Sequence, residues 1–257
     1  MAKWTAFPQL GAYNFDAASV KKHWSSLHLG DVEPLPKDGP LLDAWALFHN
    51  GDFQRSVQAG LKVGNAGITL ANKATAIYAT YLEKRESTRL DLFMEVARRA
   101  ESQLADDSTN ANAHYWQAYA LGRYSQGISV AKALAQGLGG RVKAALETTI
   151  RLQPAHADAH IALGAFHAEV IDKVGSLIGG MTYGAKKDTG LKLFQEALRL
   201  NPGSAIGMIE YANAMVMLEG DPKMAEATQL YEQAASSKPL DAMERLDVEM
   251  AKAELVD

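Results

Sequence analysis

Three histidines lie at spacings that can hold a metal ion. His156, His160 and His167 fall within about 40° of one another on a helix turning ~100° per residue, and an i, i+4 histidine pair can chelate. Positions 160 and 167 are also the large and aromatic slots of a helical repeat, where side chains pack between helices. Packing is the stronger reading. His167-Ala168-Glu169 matches half of a zinc-deaminase signature, but the other half needs cysteines, and the chain has none. That lack also removes disulfides, thiolate nucleophiles, cysteine zinc sites and iron–sulfur clusters. Neither G-x-S-x-G nor H-E-x-x-H occurs, so hydrolase and zincin chemistry have no carrier. No catalytic residue, metal or cofactor is expected.

Two glycine-bearing segments, Gly137–Lys143 and Gly179–Lys187, occupy corresponding places in successive repeats and read as loops ahead of a helix. Helix N-termini with cations nearby attract anions, so Arg141, Lys143, Lys186 and Lys187 form a candidate phosphate or carboxylate site. The alternative is that the glycines make turns and the lysines solvate them. The second segment resembles a phosphate-binding loop but fails as one: Ala185 follows Gly184, no Ser or Thr follows the lysines, and the preceding element is a helix.

These residues are positioned by helices with a repeating punctuation. HADAHIALGAFH (156–167) and GLKLFQEALRLNP (190–202) form one helix A and helix B pair; IGMIEYANAMVM (206–217) and ATQLYEQAASSKP (227–239) form the next. An earlier pair carries Ala118, Leu121-Gly122 and Ser125, then Leu146. Pro154, Pro202 and Pro239 each lie eight residues beyond Leu146, Phe194 and Tyr231. A small residue after the leucine lets helices A and B approach, and the proline stops helix B. The units exceed the usual ~34 residues, the excess falling between helices A and B. LDAMERLDVEMAKAELVD reads as a capping helix with Met243, Leu246, Met250 and Ala253 on its apolar face.

Upstream, Asp16 caps a helix to about Leu27 with Val20, Trp24 and Leu27 on one face. The proline-rich VEPLPKDGP closes an N-terminal arm, 1–40, ahead of a repeat domain, 41–257. Two short helices flank Asn50-Gly51, and longer ones cover about 66–83 and 90–105.

Together HYWQAYALGRYSQGISVAKALAQGLGGRVKAALE, LQPAHADAHIALGAFHAEV and IGGMTYGAKKDTGLKLFQEALRLNP resemble the tetratricopeptide-repeat superfamily. They look like its branch containing regulator-of-microtubule-dynamics proteins and the TRAP-transporter T-component. The resemblance implies an all-α superhelix of tetratricopeptide type (an α-solenoid) with enlarged A-to-B connections and a C-terminal capping helix. It also implies a non-catalytic scaffold that binds a protein or peptide in a concave groove. Helix A positions facing that groove would be Trp116, Tyr119, Arg123, Asp158, Ile161, Glu169, Ile209 and Asn213. Aromatics and arginine are enriched at binding hot spots. The alternative reading of Trp116 and Tyr119 is packing against the helix at 66–83. The second functional reading, from the T-component likeness, is a small anionic or apolar ligand enclosed by the insertions and the arm.

Composition is ordinary for a globular chain: 257 residues, 47% hydrophobic, 22% charged, net charge −4. Nothing basic points to nucleic acid. The apolar run near Val170–Ile178 is broken by Asp172, Lys173 and Gly175, well short of the ~20 residues of a span. MAKWTAFPQLGAYNFD has no export-signal pattern, so no membrane insertion and a cytoplasmic location are expected.

Overall fold

The computed structural model describes residues 3–37 and 39–256, and among these there are helices and no strand. The fold is the all-α tetratricopeptide type expected. Its residues group into two compact units.

The first unit holds 3–28, 33–152 and 241–243. Its helices are α1 (Ala17–Leu27), α2 (Gly39–His49), α3 (Phe53–Val63), α4 (Ile68–Tyr81), α5 (Glu86–Asp106), α6 (Ala111–Gln126), α7 (Val130–Ala135) and α8 (Leu138–Leu152). Each of α1 to α5 packs on its successor, and α6 pairs with α8. Asp16 caps α1 in a reciprocal box: its carboxylate accepts the Ser19 N–H at 2.7 Å and its own N–H donates to Ser19 Oγ at 2.8 Å. Val20, Trp24 and Leu27 are all buried. The chain ahead of α1 is sewn onto the α2–α3 turn. Asn50 Oδ1 accepts the Phe15 N–H at 2.7 Å, and Asn50 Nδ2 donates to the Phe15 carbonyl at 2.9 Å. Gly51 sits at φ +86°, where a Cβ would come within 2.6 Å of the Phe7 ring. A buried pair, His49 Nδ1 and Asp241 Oδ2 at 2.7 Å, ties the residues just before the last helix to α2.

The second unit holds 29–32, 153–240 and 244–256 of the described chain. It contains α9 (Ala157–Val174), α10 (Ser176–Tyr183), α11 (Lys187–Leu200), α12 (Ala205–Glu219), α13 (Met224–Ser236) and most of α14 (Ala242–Glu254). The expected A and B pairs are α9 with α11 and α12 with α13, and α12 also packs on α9. The close crossing is Gly164 against Phe194: a Cβ at Gly164 would stand 2.8 Å from the ring.

Three expectations change in detail. Both A-to-B connections read as glycine loops contain helix. Residues 139–143 lie inside α8, which starts after Gly137 breaks the chain at φ +62° and Leu138 buries its side chain. Gly179 and Gly180 lie inside α10, which ends at left-handed Gly184; α10 folds back on α9, where a Gly179 Cβ would meet Val170 at 3.0 Å. Gly122, the counterpart of Gly164, has no atom within 4 Å of its Cβ position and sets no close approach. On α14 the buried residues are Ala242, Leu246, Asp247, Val248 and Ala251, whereas Met243 and Met250 are half-buried and Ala253 is exposed. The helix is rotated because Val248 and Ala251 pack into a cluster with Ala205, Ile209 and Ala234.

Candidate functional site

Asn110 starts α6 by accepting the Ala113 N–H at 2.9 Å, which sets the rotation of the helix and the direction of its side chains. Trp116 then points inward and is 3% exposed. Tyr119, one turn on, is half-buried; its hydroxyl shares a 2.8 Å hydrogen bond with Thr80 of α4. The Arg123 guanidinium lies 5.4 Å over the Tyr119 ring and donates to Gln126 Oε1 at 3.3 Å. Of the three residues expected on this face, Trp116 therefore belongs to the core, while Tyr119 and Arg123 form a stack at its edge.

The second unit divides the same way. Ile161 and Ile209 are 6% and 2% exposed and belong to core clusters. Helix A contacts its own helix B and the next helix A, so two of its sides are consumed by packing. Asp158, Glu169 and Asn213 remain half-buried. The Asp158 N–H donates to the Gly30 carbonyl at 3.1 Å. Glu169 faces Lys173 at 3.7 Å. Asn213 Oδ1 accepts the Tyr231 hydroxyl at 2.7 Å, and burial holds the Tyr231 phenol above its ordinary pKa.

The three histidines are buried and serve the fold. His156 caps α9, its Nδ1 accepting the Ala159 N–H at 3.1 Å; His160 Nδ1 lies 2.9 Å from the His156 carbonyl; His167 Nδ1 accepts the Lys186 N–H at 3.1 Å and fixes the start of α11. Among the described residues no group of three His, Cys, Asp or Glu converges as metal ligands. The candidate anion residues are largely engaged by carboxylates: Arg141 with Glu101, Lys143 with Glu147 at 2.6 Å, and Lys187 with Glu219 at 2.9 Å. The Lys187 hydrogen bond holds the Glu219 carboxyl below its usual range. Lys186 is exposed at the α11 N-cap.

A polar cleft of ≈ 220 Å³ was not anticipated. It lies in the first unit, lined by Glu33, Asn65, Ala66, Thr69, Gln103, Asp107 and Asn110. Glu33 belongs to the N-terminal arm expected to help enclose a ligand, and none of the lining residues belongs to the α7 or α10 insertions. Of the lining residues, Thr69 lies on α4, a helix that also buries Asn72, Lys73 and Thr75. No helix among the described residues is long and apolar enough to cross a membrane.

Among solved structures, the chain is similar to TTC0263, a thermophilic TPR protein in Thermus thermophilus. The identity is 16%, over 83% of this chain and 97% of that one, with a TM-score of 0.58. It is also similar to MamA protein, 16% identical over 82% of this chain and 90% of that one, with a TM-score of 0.42. At these identities the TTC0263 likeness concerns the fold alone. No curated protein matches the chain in sequence. A family model, Regulator of microtubule dynamics protein 1-3, matches residues 64–255. The tetratricopeptide fold and that match, which covers most of the sequence, place the chain in the regulator of microtubule dynamics family.

Proposed function

We propose that the chain is a non-catalytic scaffold that binds a protein or peptide partner on the exposed faces of its A helices. The observation that carries this reading is the Tyr119–Arg123 stack on α6. The Tyr119 hydroxyl is anchored to α4 and Trp116 is packed beneath the helix, so the guanidinium is held in place before a partner arrives. Binding then orders few rotamers, and a planar guanidinium suits a carboxylate of the partner. The α10 insertion supports the same class of function. Leu177, Ile178 and Met181 are 74%, 57% and 82% exposed, and neighbouring exposed apolar side chains mark interaction surfaces. Membership of a family named for microtubule regulation makes a microtubule-linked protein the first partner to try.

The test is affinity capture with the wild type and with Arg123→Glu, which reverses the charge of this half-buried side chain. Loss of a specific partner at unchanged melting temperature supports the reading. Retention of every wild-type partner overturns it.

A further inference from the structure

Among the described residues Val32 is the one non-glycine at positive φ, +48°. A β-branched side chain there is a true outlier, and such strain persists only where the surroundings over-determine the backbone. In the first unit Trp24 fixes the chain on both sides of this residue. Its carbonyl accepts the His28 N–H at 2.9 Å, and its indole Nε1 donates to the Glu33 carbonyl at 2.7 Å. Asn112 Nδ2 adds a bond to the Glu33 carboxylate at 2.6 Å. With His28 and Glu33 both held at one tryptophan, the residues between them must turn back tightly. Those residues, Leu29–Val32, group with the second unit. There the Gly30 carbonyl accepts the Asp158 N–H at 3.1 Å on the first turn of α9. The approach is close: a Cβ at Gly30 would stand 2.5 Å from Asp158 Oδ1. Asp31 beside it is 2% exposed. The next amide of α9 is held without this segment, the Ala159 N–H reaching both His156 Nδ1 and the His156 carbonyl at 3.1 Å.

We propose that Leu29–Val32 is a displaceable strap: it covers the Asp158 turn of α9 as the chain's own occupant, and its opening offers that turn to an extended segment of a partner. This rests on the reading of the A helices as the partner face, since α9 is one of them. Val32 sets the balance. Its strain raises the free energy of the closed strap and leaves the open one untouched, so opening is easier than the contacts alone imply. Gly30 sets the selectivity, because only a residue without a Cβ fits against the Asp158 carboxylate as it stands. A displacing segment therefore needs glycine at that place. Opening leaves the Asp158 N–H, a first-turn donor, without an intrahelical acceptor, while Ala159 keeps both of its bonds.

Amide hydrogen exchange of the full chain, followed by NMR, reads the strap at Asp158 with Ala159 as the internal control. A strap that opens by itself leaves Asp158 less protected than Ala159 once intrinsic rates are allowed for. Val32→Gly relieves the strain and should slow Asp158 about three- to tenfold, the relief being partly offset by the backbone freedom that glycine adds, with Ala159 unchanged. Gly30→Val presses on Asp158 and should remove protection at Asp158 alone. An acetylated Leu-Gly-Asp-Val-Glu amide, the strap supplied in trans with its glycine intact, should then shift the Asp158 amide of Gly30→Val. It should not shift that of the wild type, whose own strap competes at high effective concentration. No captured partner and no change at Arg123 enters these measurements, so failure of the strap leaves the partner reading standing, and failure of that reading leaves the exchange rates as they are. If Gly30→Val does not fold, the Val32→Gly rate decides alone. Equal protection of Asp158 and Ala159 in the wild type, an Asp158 rate unmoved by Val32→Gly, or a peptide that shifts both proteins alike or neither overturns the proposal.

Discussion

Gly164 gives the sharpest quantitative test of the helical-hairpin account, because its counterpart Gly122 should respond with the opposite sign. Alanine in a helix interior is favoured over glycine by about 1 kcal/mol. At Gly122 nothing lies within 4 Å of the new Cβ, so Gly122→Ala should gain about 0.5–1 kcal/mol. At Gly164 the Cβ would stand 2.8, 2.9 and 3.0 Å from three atoms of the Phe194 ring. Comfortable carbon contacts begin near 3.5 Å, so the ring would have to retreat by about 0.7 Å. It has nowhere to go: Phe194 is 0% exposed and stacks on Tyr211 at 5.4 Å between centroids. Overpacking of this kind costs about 1–3 kcal/mol, which outweighs the propensity gain. Gly164→Ala should therefore be neutral to about 2 kcal/mol destabilising, and Gly164→Leu clearly destabilising. Thermal and urea unfolding followed by far-UV circular dichroism reads both, with about 2–4 °C per kcal/mol for a chain of this size. Stabilisation by Gly164→Ala equal to that by Gly122→Ala would refute the close crossing of α9 and α11.

Other expectations follow from individual contacts. Tyr119→Phe should cost about 1 kcal/mol by leaving Thr80 unpaired, and Thr80→Val in the same chain should recover part of it, as a double-mutant cycle would show. His49→Phe, which removes one hydrogen-bond partner of the buried Asp241 carboxylate, should cost about 1–3 kcal/mol in denaturant unfolding. The Asp16 cap carries a pH signature. Its carboxyl is held below the ordinary 3.8, chiefly by the Ser19 N–H. A depressed folded-state pKa means that the stabilisation is complete above the unfolded value and is lost as pH falls through the lower folded one. Asp16→Asn should keep α1 capped while flattening that part of the acid melting profile; an unchanged profile would count against the cap.

The architecture was legible where sequence and packing obey the same rule. Pro154, Pro202 and Pro239 end their B helices, Asp16 caps α1, and the small residue at 164 marks a real crossing. Legibility failed where one residue type serves two masters. Trp116 and Ile209 sit on helix A in positions that packing and binding use alike, and only the rotation of the helix decides for the core. Gly122 shares the consensus slot of Gly164, but no ring stands opposite it. The first turn of α8 and the whole of α10 are hidden because glycine reads as a loop signal, whereas Gly179 is small so that α10 can touch α9. The beginning of α5 at Glu86 carries no apolar periodicity. The polar cleft was invisible because its walls, from Glu33 to Asn110, are distant in sequence and unremarkable one at a time.

Hydrogen–deuterium exchange of the full chain, with and without a captured partner, tests the central claim most directly. Partner-dependent protection should appear in peptides covering Ala111–Gln126, where Tyr119 and Arg123 stack, and should vanish with Arg123→Glu. Protection confined to the B helices Leu138–Leu152, Lys187–Leu200 and Met224–Ser236 would contradict binding on the A faces.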